Sequence, residues 1–433
     1  MRVLWITNIL FPDVCSEIGI EAPVIGGWMH AGARSLLDRN SETRLAVATL
    51  YDGKDMKVFD IKDITYFLIP KNKKSLEYNH SLDAYWKKIN ARFNPEIVHI
   101  HGTEYPLALC YVRVCGNKNV VVSIQGIVSV TEKFYFGGIP KPKLIRDTTL
   151  RDLIRRDTVF DQHAIMQKRG FYEEKTIRAI EHVIGRTSWD RIHMQALNPS
   201  INYHFCNETL REAFYHHTWE LSNCQPHSIF ITQGYYPLKG LHQLLHAMPL
   251  VTRRFPDAKL YIGGVDFITN KGMKINGYGK FIRTLIKRYG LGGNIYFTGL
   301  LSEEEMCRRY LGSHVVVCPS YIENSSNSIG EAQMLGVPCV ASYVGGISDL
   351  ITDQVSGLLY RVEEHEMLAE AVCTVFSDNE LASRLSANGR KAAWIRHDRD
   401  TNASRLGAIY QEILGWEQGA ECKQIETTAT TTE

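Results

Sequence analysis

Apolar runs of strand length alternate with amphipathic stretches of helix length over most of the chain. Arg2-Val3-Leu4-Trp5-Ile6-Thr7-Asn8 reads as a buried first strand. A loop holding Pro12, Pro23 and Gly26-Gly27 leads from it to a helix over residues 28–37. Further strands are expected at 44–50 and 64–69, followed by a helix over 76–93. The run Pro95-Glu96-Ile97-Val98-His99-Ile100-His101-Gly102 comes next, then a strand from Val120 that passes into Gln125-Gly126. Val183-Ile184-Gly185-Arg186-Thr187-Ser188-Trp189-Asp190 reads as a strand entering a helix. The second half begins afresh with Ser228-Ile229-Phe230-Ile231-Thr232, a polar turn and a helix over 241–255. Strands follow near 258–264 and 294–299, with a helix over 302–311. Residues 363–390 and 403–416 read as helical, and the tail from Gln418, ending TTATTTE, has no apolar periodicity and is expected to be disordered. Two halves, each opening on its own buried strand and continuing in βα alternation, predict two parallel-sheet domains. The expected bounds are 1–218 for the first, with a helix returning to it at about 396–417, 219–395 for the second, and 418–433 for the tail.

The stretch from His314 to Leu350 carries the most chemistry. Val315 to Cys318 is a β-branched run suited to a buried parallel strand, and Pro319 ends it. The polar loop Glu323-Asn324-Ser325-Ser326-Asn327-Ser328 then enters a helix expected from about Ile329 to Gly336. A short strand, Cys339 to Ser342, precedes Gly345-Gly346. A helix N-terminus offers unpaired N–H groups and the positive end of the dipole, which suits a diphosphate. Glu323 and Glu331 bracket the loop. Carboxylates repel phosphate but accept hydrogen bonds from hydroxyl groups, as an acidic residue does with ribose. A ligand with phosphate in the middle and polyhydroxy rings at both ends, a nucleotide-sugar, satisfies all parts of the loop. Glu331 has a second reading, because Ser328-Ile329-Gly330-Glu331 spells a capping box.

From Pro319 to about Leu350 the chain resembles the E-x7-E signature of the retaining family 4 glycosyltransferases, with the G-x-P-V-V-A-S segment and Gly-Gly turn that follow it. The family's usual Gly-Phe-Gly after the first Glu is Asn324-Ser325-Ser326 here. Gln233 to Gly240 resembles the family's G-R-L-x-x-x-K-G turn; Lys239 matches, and Gly234 stands where the family has Arg. Ala258 to Gly264 resembles its L-x-I-x-G-x-G strand, and Pro95 to Gly102 its D-x-V-H-x-H strand with Glu96 for Asp.

The resemblance implies the GT-B fold, two Rossmann-like domains facing across a cleft, with a C-terminal helix crossing back to the first. It implies that Glu323 binds sugar hydroxyls beside the backbone of Asn324, Ser325, Ser326 and Asn327, and that Glu331 holds the ribose. Lys239, with the helix N-terminus near Ser328, would stabilise the departing diphosphate. Gly264 and the Gly299-Leu300-Leu301 turn would meet the base. On the acceptor and phosphate side stand Gly26 and Gly27, which alternatively make only a tight turn, and His101. Arg186 is the expected anion contact, a candidate to replace the Arg missing at Gly234. Gln125 occupies the place of a His that many members carry. It can bond a sugar hydroxyl but cannot carry a proton, so it is expected to position the sugar.

Composition narrows the partners. At 433 residues two domains are expected, and 49 Lys+Arg against 47 Asp+Glu argue against a nucleic-acid binder. Ten cysteines without C-x-x-C pairs suit reduced thiols in the cytoplasm, and no run approaches the roughly 18 apolar residues of a membrane span. His99 and His101 share a strand face but lack a third ligand, so no metal site is expected there. Asp398-Arg399-Asp400 spells the D-x-D by which another glycosyltransferase architecture holds a metal. No β-branched run precedes it, so a helix cap or pairing with arginines is expected instead. Residues 131–180 mix Lys141, Lys143, Arg155 and Arg156 with aliphatic and aromatic side chains. This segment is either a solvated face or a surface for anionic lipid or a pyrophosphate acceptor on the inner face of a membrane.

The expected activity is transfer, without cofactor or metal, of a sugar from a nucleoside-diphosphate sugar to a saccharide acceptor. Family habit makes that acceptor lipid-linked and the pathway cell-surface polysaccharide synthesis. The alternatives are a sugar-nucleotide epimerase of the same architecture and a silent nucleotide-sugar-binding subunit, the latter favoured by Gly234 and Gln125.

Overall fold

The computed structural model describes residues 1–23, 26–71, 78, 80–269 and 274–415. The expected tail and the first residues of the helix expected over 76–93 lie outside them. The first sheet contains β1 (Arg2–Thr7), β2 (Arg44–Tyr51), β3 (Lys57–Ile61), β4 (Ile64–Pro70), β5 (Ile97–His101), β6 (Val120–Ser123), β7 (His182–Gly185) and β8 (Asn202–Phe205). Its order is β3-β4-β2-β1-β5-β6-β7-β8, parallel except for β3 against β4. The second sheet contains β9 (Gln225–Ile231), β10 (Lys259–Ile262), β11 (Ile295–Phe297), β12 (Ser313–Cys318), β13 (Cys339–Ser342) and β14 (Leu358–Tyr360). Its order is β11-β10-β9-β12-β13-β14, wholly parallel.

Helices cover both faces of the sheets, so the central strands are buried on both sides and read as unbroken apolar runs. Every residue of β12 is buried, as are Val3 to Thr7 in β1. In each sheet the chain runs outward from its first strand and then returns to the other side of it. The reversals fall between β1 and β5 and between β9 and β12. Ligands of such sheets bind beyond the carboxyl ends of the strands at this reversal, and here both carboxyl edges meet at one cleft.

The last helix, Arg399–Leu414, belongs to the first domain although 405 positions separate Tyr410 from Trp5. The Tyr410 hydroxyl accepts from Trp5 Nε1 at 3.0 Å and lies 2.6 Å from His99 Nδ1, and His99 Nε2 lies 2.6 Å from Ser123 Oγ. Both nitrogens of His99 are thus occupied, one by this helix and the other by the end of β6. Asp398 is the helix's N-cap, accepting from Thr401 N at 2.7 Å, and Asp400 accepts from Arg39 Nε at 2.8 Å. The D-x-D spelling is a cap and an ion pair.

Several elements depart from the pattern, among them a helix, Pro12–Ile18, in the loop expected after the first strand. The helix expected over 363–390 is two, His365–Ser377 and Asn379–Arg396, because Asp378 breaks the run and caps the second through Leu381 N. The helix expected from Ile329 begins two residues earlier, spanning Asn327–Leu335. Residues 131–180 form short helices, Lys141–Asp147 and Leu150–Arg155, and a long one, Val159–Ala179. No helix among the described residues is long and apolar enough to cross a membrane.

Candidate functional site

The cleft between the domains encloses about 960 Å³, the upper end of the range for small-molecule sites. Its second-domain wall follows the ends of β9, β10 and β11 and the start of the helix Asn327–Leu335: Thr232, Gly264, Leu300, Asn327, Ser328 and Glu331. This wall is largely backbone. Gly264 adopts φ +94° and its N–H bonds Gly299 O at 3.1 Å, which joins the ends of β10 and β11 in one rim. The first intrahelical bonds of Asn327–Leu335 are Ile329 N and Gly330 N to Ser326 O. The N–H groups of Asn327 and Ser328 lie before them, at the positive end of the dipole. Ser328 Oγ is 2.7 Å from Thr232 Oγ1, tying the helix to the end of β9.

Glu331 faces the same cleft and makes no capping box, because Ser328 lies inside the helix and the cap position is Ser326. Its Oε1 accepts from Arg211 Nε at 2.9 Å and Nη2 at 2.7 Å, and its Oε2 accepts from Tyr310 OH at 3.3 Å. Burial pushes the carboxyl up and Arg211 pulls it back. Arg211 is the cationic side chain of the cleft lining among the described residues. The sequence reading missed it; the signal was a polar stretch, residues 207–211, just past the end of a strand.

The first-domain wall is made of side chains held by other side chains. Gly26 and Gly27 line it, Gly26 at φ +79° where a Cβ would lie 2.4 Å from Ile9 Cδ1. The glycine therefore serves the tight turn and the cleft together. Gln125 also lines the wall, its amide gripped from both ends. Oε1 accepts from Arg186 Nη2 at 3.2 Å, and Nε2 donates to Glu208 Oε1 at 2.7 Å. Arg186 Nη1 pairs with Glu208, and Nη2 also donates to Ile124 O at 2.8 Å.

Several expected site residues sit elsewhere. Arg186 is buried and its charge is committed to Glu208, so it is a positioning group behind Gln125 and not the expected anion contact. His101 is buried beside a cavity of about 60 Å³ under Trp28, stacked 4.0 Å from His99, and off the cleft. Gly102, at φ +89°, turns the chain so that Glu104 reaches the cleft from the end of β5 instead. Gly234 packs on the following helix, where a Cβ would lie 2.8 Å from Leu241 Cδ2, and Gln233 and Tyr235 line the cleft on either side of it.

Asn324 is buried and bridges the domains: Oδ1 accepts from Thr187 Oγ1 at 2.6 Å and Nδ2 donates to Asp190 Oδ2 at 3.0 Å. Its amide side chain serves closure of the domains, and Asn324, Ser325 and Ser326 are not part of the cleft lining. Lys239 and Glu323 also lie off that lining, as an ion pair 2.6 Å long in which Glu323 accepts from Ser320 Oγ at 2.7 Å. Burial alone would lower the Lys239 ammonium, but the Glu323 charge outweighs it and the group is held firmly protonated.

Residues 222–392 match the model of the glycosyl transferases group 1. A relative from Bacillus subtilis, YtcC, named for glycosyltransferase activity, is 28% identical over 180 residues. That stretch covers 41% of this chain and 43% of the relative, so the chain matches under half the length of such relatives. Among solved structures, the sucrose-phosphate synthase of Thermosynechococcus elongatus superposes with a TM-score of 0.70 at 16% identity, covering 96% of this chain and 100% of that one. Anabaena HepE in complex with UDP-glucose gives 0.65 at 15%, covering 94% and 99%. Such likeness at low identity establishes the GT-B fold. The match to the glycosyl transferases group 1 falls within the second domain of this chain.

Proposed function

We propose that the protein is a retaining glycosyltransferase that moves a sugar from a nucleoside-diphosphate sugar to a saccharide acceptor carried on lipid, in cell-surface polysaccharide synthesis. The observation that carries the donor half is one cleft in which helix-terminal N–H groups at Asn327 and Ser328 stand beside Glu331 and the Gly264–Leu300 rim. The amides suit a diphosphate, the carboxylate a ribose, and the rim a base. Arg211 supplies the positive charge that Gly234 lacks. Gln125, held by Arg186 and Glu208, addresses the sugar. Lys239 and Glu323, paired with each other behind the cleft lining, would give up that pair to the donor, Glu323 binding sugar hydroxyls and Lys239 neutralising leaving-group charge.

The outer face of residues 141–156 supports a lipid-borne acceptor. Ile145, Leu150, Leu153 and Ile154 are each at least 60% exposed, and Lys141, Arg146, Arg155 and Arg156 lie exposed among them. Aliphatic side chains projecting between cations suit the surface of an anionic bilayer. Lys143 does not contribute, since its ammonium sits 4.2 Å from the Phe281 ring centroid.

Calorimetry with UDP-, GDP- and ADP-sugars tests the donor site, beginning with UDP-glucose because HepE was crystallised with it. One of the three should bind, and turnover with it should persist in excess EDTA. Binding of none would overturn the reading. Loss of turnover in EDTA with rescue by Mn²⁺ would overturn its metal-independent chemistry.

A further inference from the structure

A second cavity, of about 440 Å³, opens between the domains. One side comes from the 128–169 segment, including Tyr135, Asp152 and Asp157, and the other from Tyr235, Tyr236 and the start of the helix Gly277–Arg288. Glu104 and Tyr235 line both this cavity and the donor cleft, so the two spaces meet at those side chains.

Three carboxylates line the cavity, and two are already engaged. Asp152 accepts from Arg151 Nη1 at 2.8 Å and Gly277 N at 2.7 Å, and Asp157 pairs with the same Arg151 at 3.1 Å. Among the described residues Glu104 has no such paired counter-ion: its own backbone N–H bonds it, and Glu173 and Glu208 face it with like charge while Arg186 is spent on Glu208. A carboxylate with lone pairs free at the junction of two cavities is an acceptor awaiting a donor. The tyrosine-rich lining offers flat apolar faces of the kind that cover the C–H side of a pyranose ring. Arg169, the cation of the lining among the described residues, lies 4.5 Å over the Tyr105 ring. A phosphate here would meet carboxylates with little to neutralise it.

We infer that this cavity is the acceptor subsite, that it takes an uncharged pyranosyl ring in preference to a phosphorylated one, and that Glu104 binds the hydroxyl directed at the donor cleft. The inference rests on the glycosyltransferase reading and adds the acceptor's chemical class to it. It also connects to the lipid-facing surface, because Asp152 lines the cavity from the same short helix that exposes Leu150, Leu153 and Ile154 outward.

The Glu104 carboxyl is pushed up to about 7, by burial first and then by Glu173 and Glu208, against its own N–H and Arg186. An ionised carboxylate accepts a hydroxyl hydrogen bond better than a protonated one. Acceptor affinity should therefore rise as pH increases through that value.

Saturation-transfer NMR on the full chain with saturating UDP tests this, using p-nitrophenyl glucoside, galactoside and N-acetylglucosaminide, with glucose 6-phosphate as the anionic counterpart. At least one neutral glycoside should bind, more tightly at pH 8 than at pH 5.5, and about tenfold tighter than glucose 6-phosphate. Glu104→Gln should weaken that glycoside about tenfold at pH 8 and flatten its pH profile. Tyr236→Ala should weaken the glycoside while keeping the pH profile. Glucose 6-phosphate binding as well as the glycosides, or an unchanged profile in Glu104→Gln that still binds UDP, overturns the inference. UDP binding with no glycoside binding also overturns it and leaves the donor reading intact, whereas failure of UDP itself to bind removes the reading beneath it.

Discussion

The second-domain wall of the cleft is backbone presented by turns, and the first-domain wall is side chains presented by other side chains. Gly264, Leu300, Asn327 and Ser328 need only the right chain path, which short local signals dictate. Gln125 needs Arg186 and Glu208 on either side, and Arg211 needs Glu331 from the opposite domain. A wall of amides tolerates most side-chain replacements away from its glycines. A wall of buried charged groups does not, because removing one member strands its partner away from water.

The largest effect is therefore expected behind Gln125. Arg186→Met leaves Glu208 buried with its counter-charge gone, which should cost about 3–5 kcal/mol of stability. Pairing it with Glu208→Met should recover most of that loss, measured by urea denaturation, while donor turnover stays impaired because Gln125 is no longer held. Equal stability of the single variant and the parent would show that the Arg186–Glu208 pair is not the support described.

Next comes the Arg211–Glu331 pair, which crosses the cleft. Glu331→Ala should lower donor affinity by about 1.5–3 kcal/mol by removing a charge-assisted acceptor, and it also strands Arg211. Glu331→Gln separates the two effects: the amide keeps an acceptor for a ribose hydroxyl and most of the contact with Arg211. Calorimetry should place the Gln variant between the parent and Ala. Identical donor affinity in all three would remove Glu331 from the ribose site.

The contrast between the walls also explains what could be read in advance. The fold followed from two runs of βα alternation, since each central strand is buried on both faces and advertises itself as an apolar run. The second wall was legible because each of its parts is a strand end or a helix start that a short local pattern marks. The first wall was not, because Gln125 and Glu208 are 83 positions apart and Arg211 and Glu331 are 120 apart. The strand before Glu208 was also hidden. β8 reads Asn-Tyr-His-Phe at the edge of the sheet, with both end residues exposed, so no apolar run marks it. Asn324 misled for a different reason. At a position read for its backbone, the side chain does the bonding, and its partners Thr187 and Asp190 come from the cap and first turn of the helix Ser188–Leu197, 137 and 134 positions earlier.

Asn324→Ala sharpens that point with a smaller effect. Three hydrogen bonds across the domain interface are lost, the third from Nδ2 to Gln125 O at 3.3 Å, at about 0.5 kcal/mol each, and Thr187 and Asp190 keep each other through the cap of the helix Ser188–Leu197. Stability should fall by about 1–2 kcal/mol, and small-angle scattering should show a wider average separation of the domains. An unchanged midpoint and scattering curve would mean that Asn324 does not hold the cleft closed.

The smallest effect on the folded protein is expected on the outer face of the segment whose inner face lines the second cavity. Leu150, Leu153 and Ile154 have lost little water on folding, so replacing all three by Ser removes almost no burial, and each surface change should stay within about 0.5 kcal/mol. The Thr149–Asp152 capping box that starts this helix is untouched, since it uses only Thr149 and Asp152. If those side chains enter a bilayer, the same variant should lose sedimentation with anionic vesicles that the parent shows. Replacing Arg155 and Arg156 by Gln should weaken sedimentation by about 1 kcal/mol per charge, most clearly at low salt. The two variants divide the attraction into apolar and electrostatic parts, and a loss in both with donor affinity kept would assign membrane contact to this face alone. Vesicle binding unchanged by either variant would make the face ordinary surface and confine the acceptor's recognition to the cavity behind it.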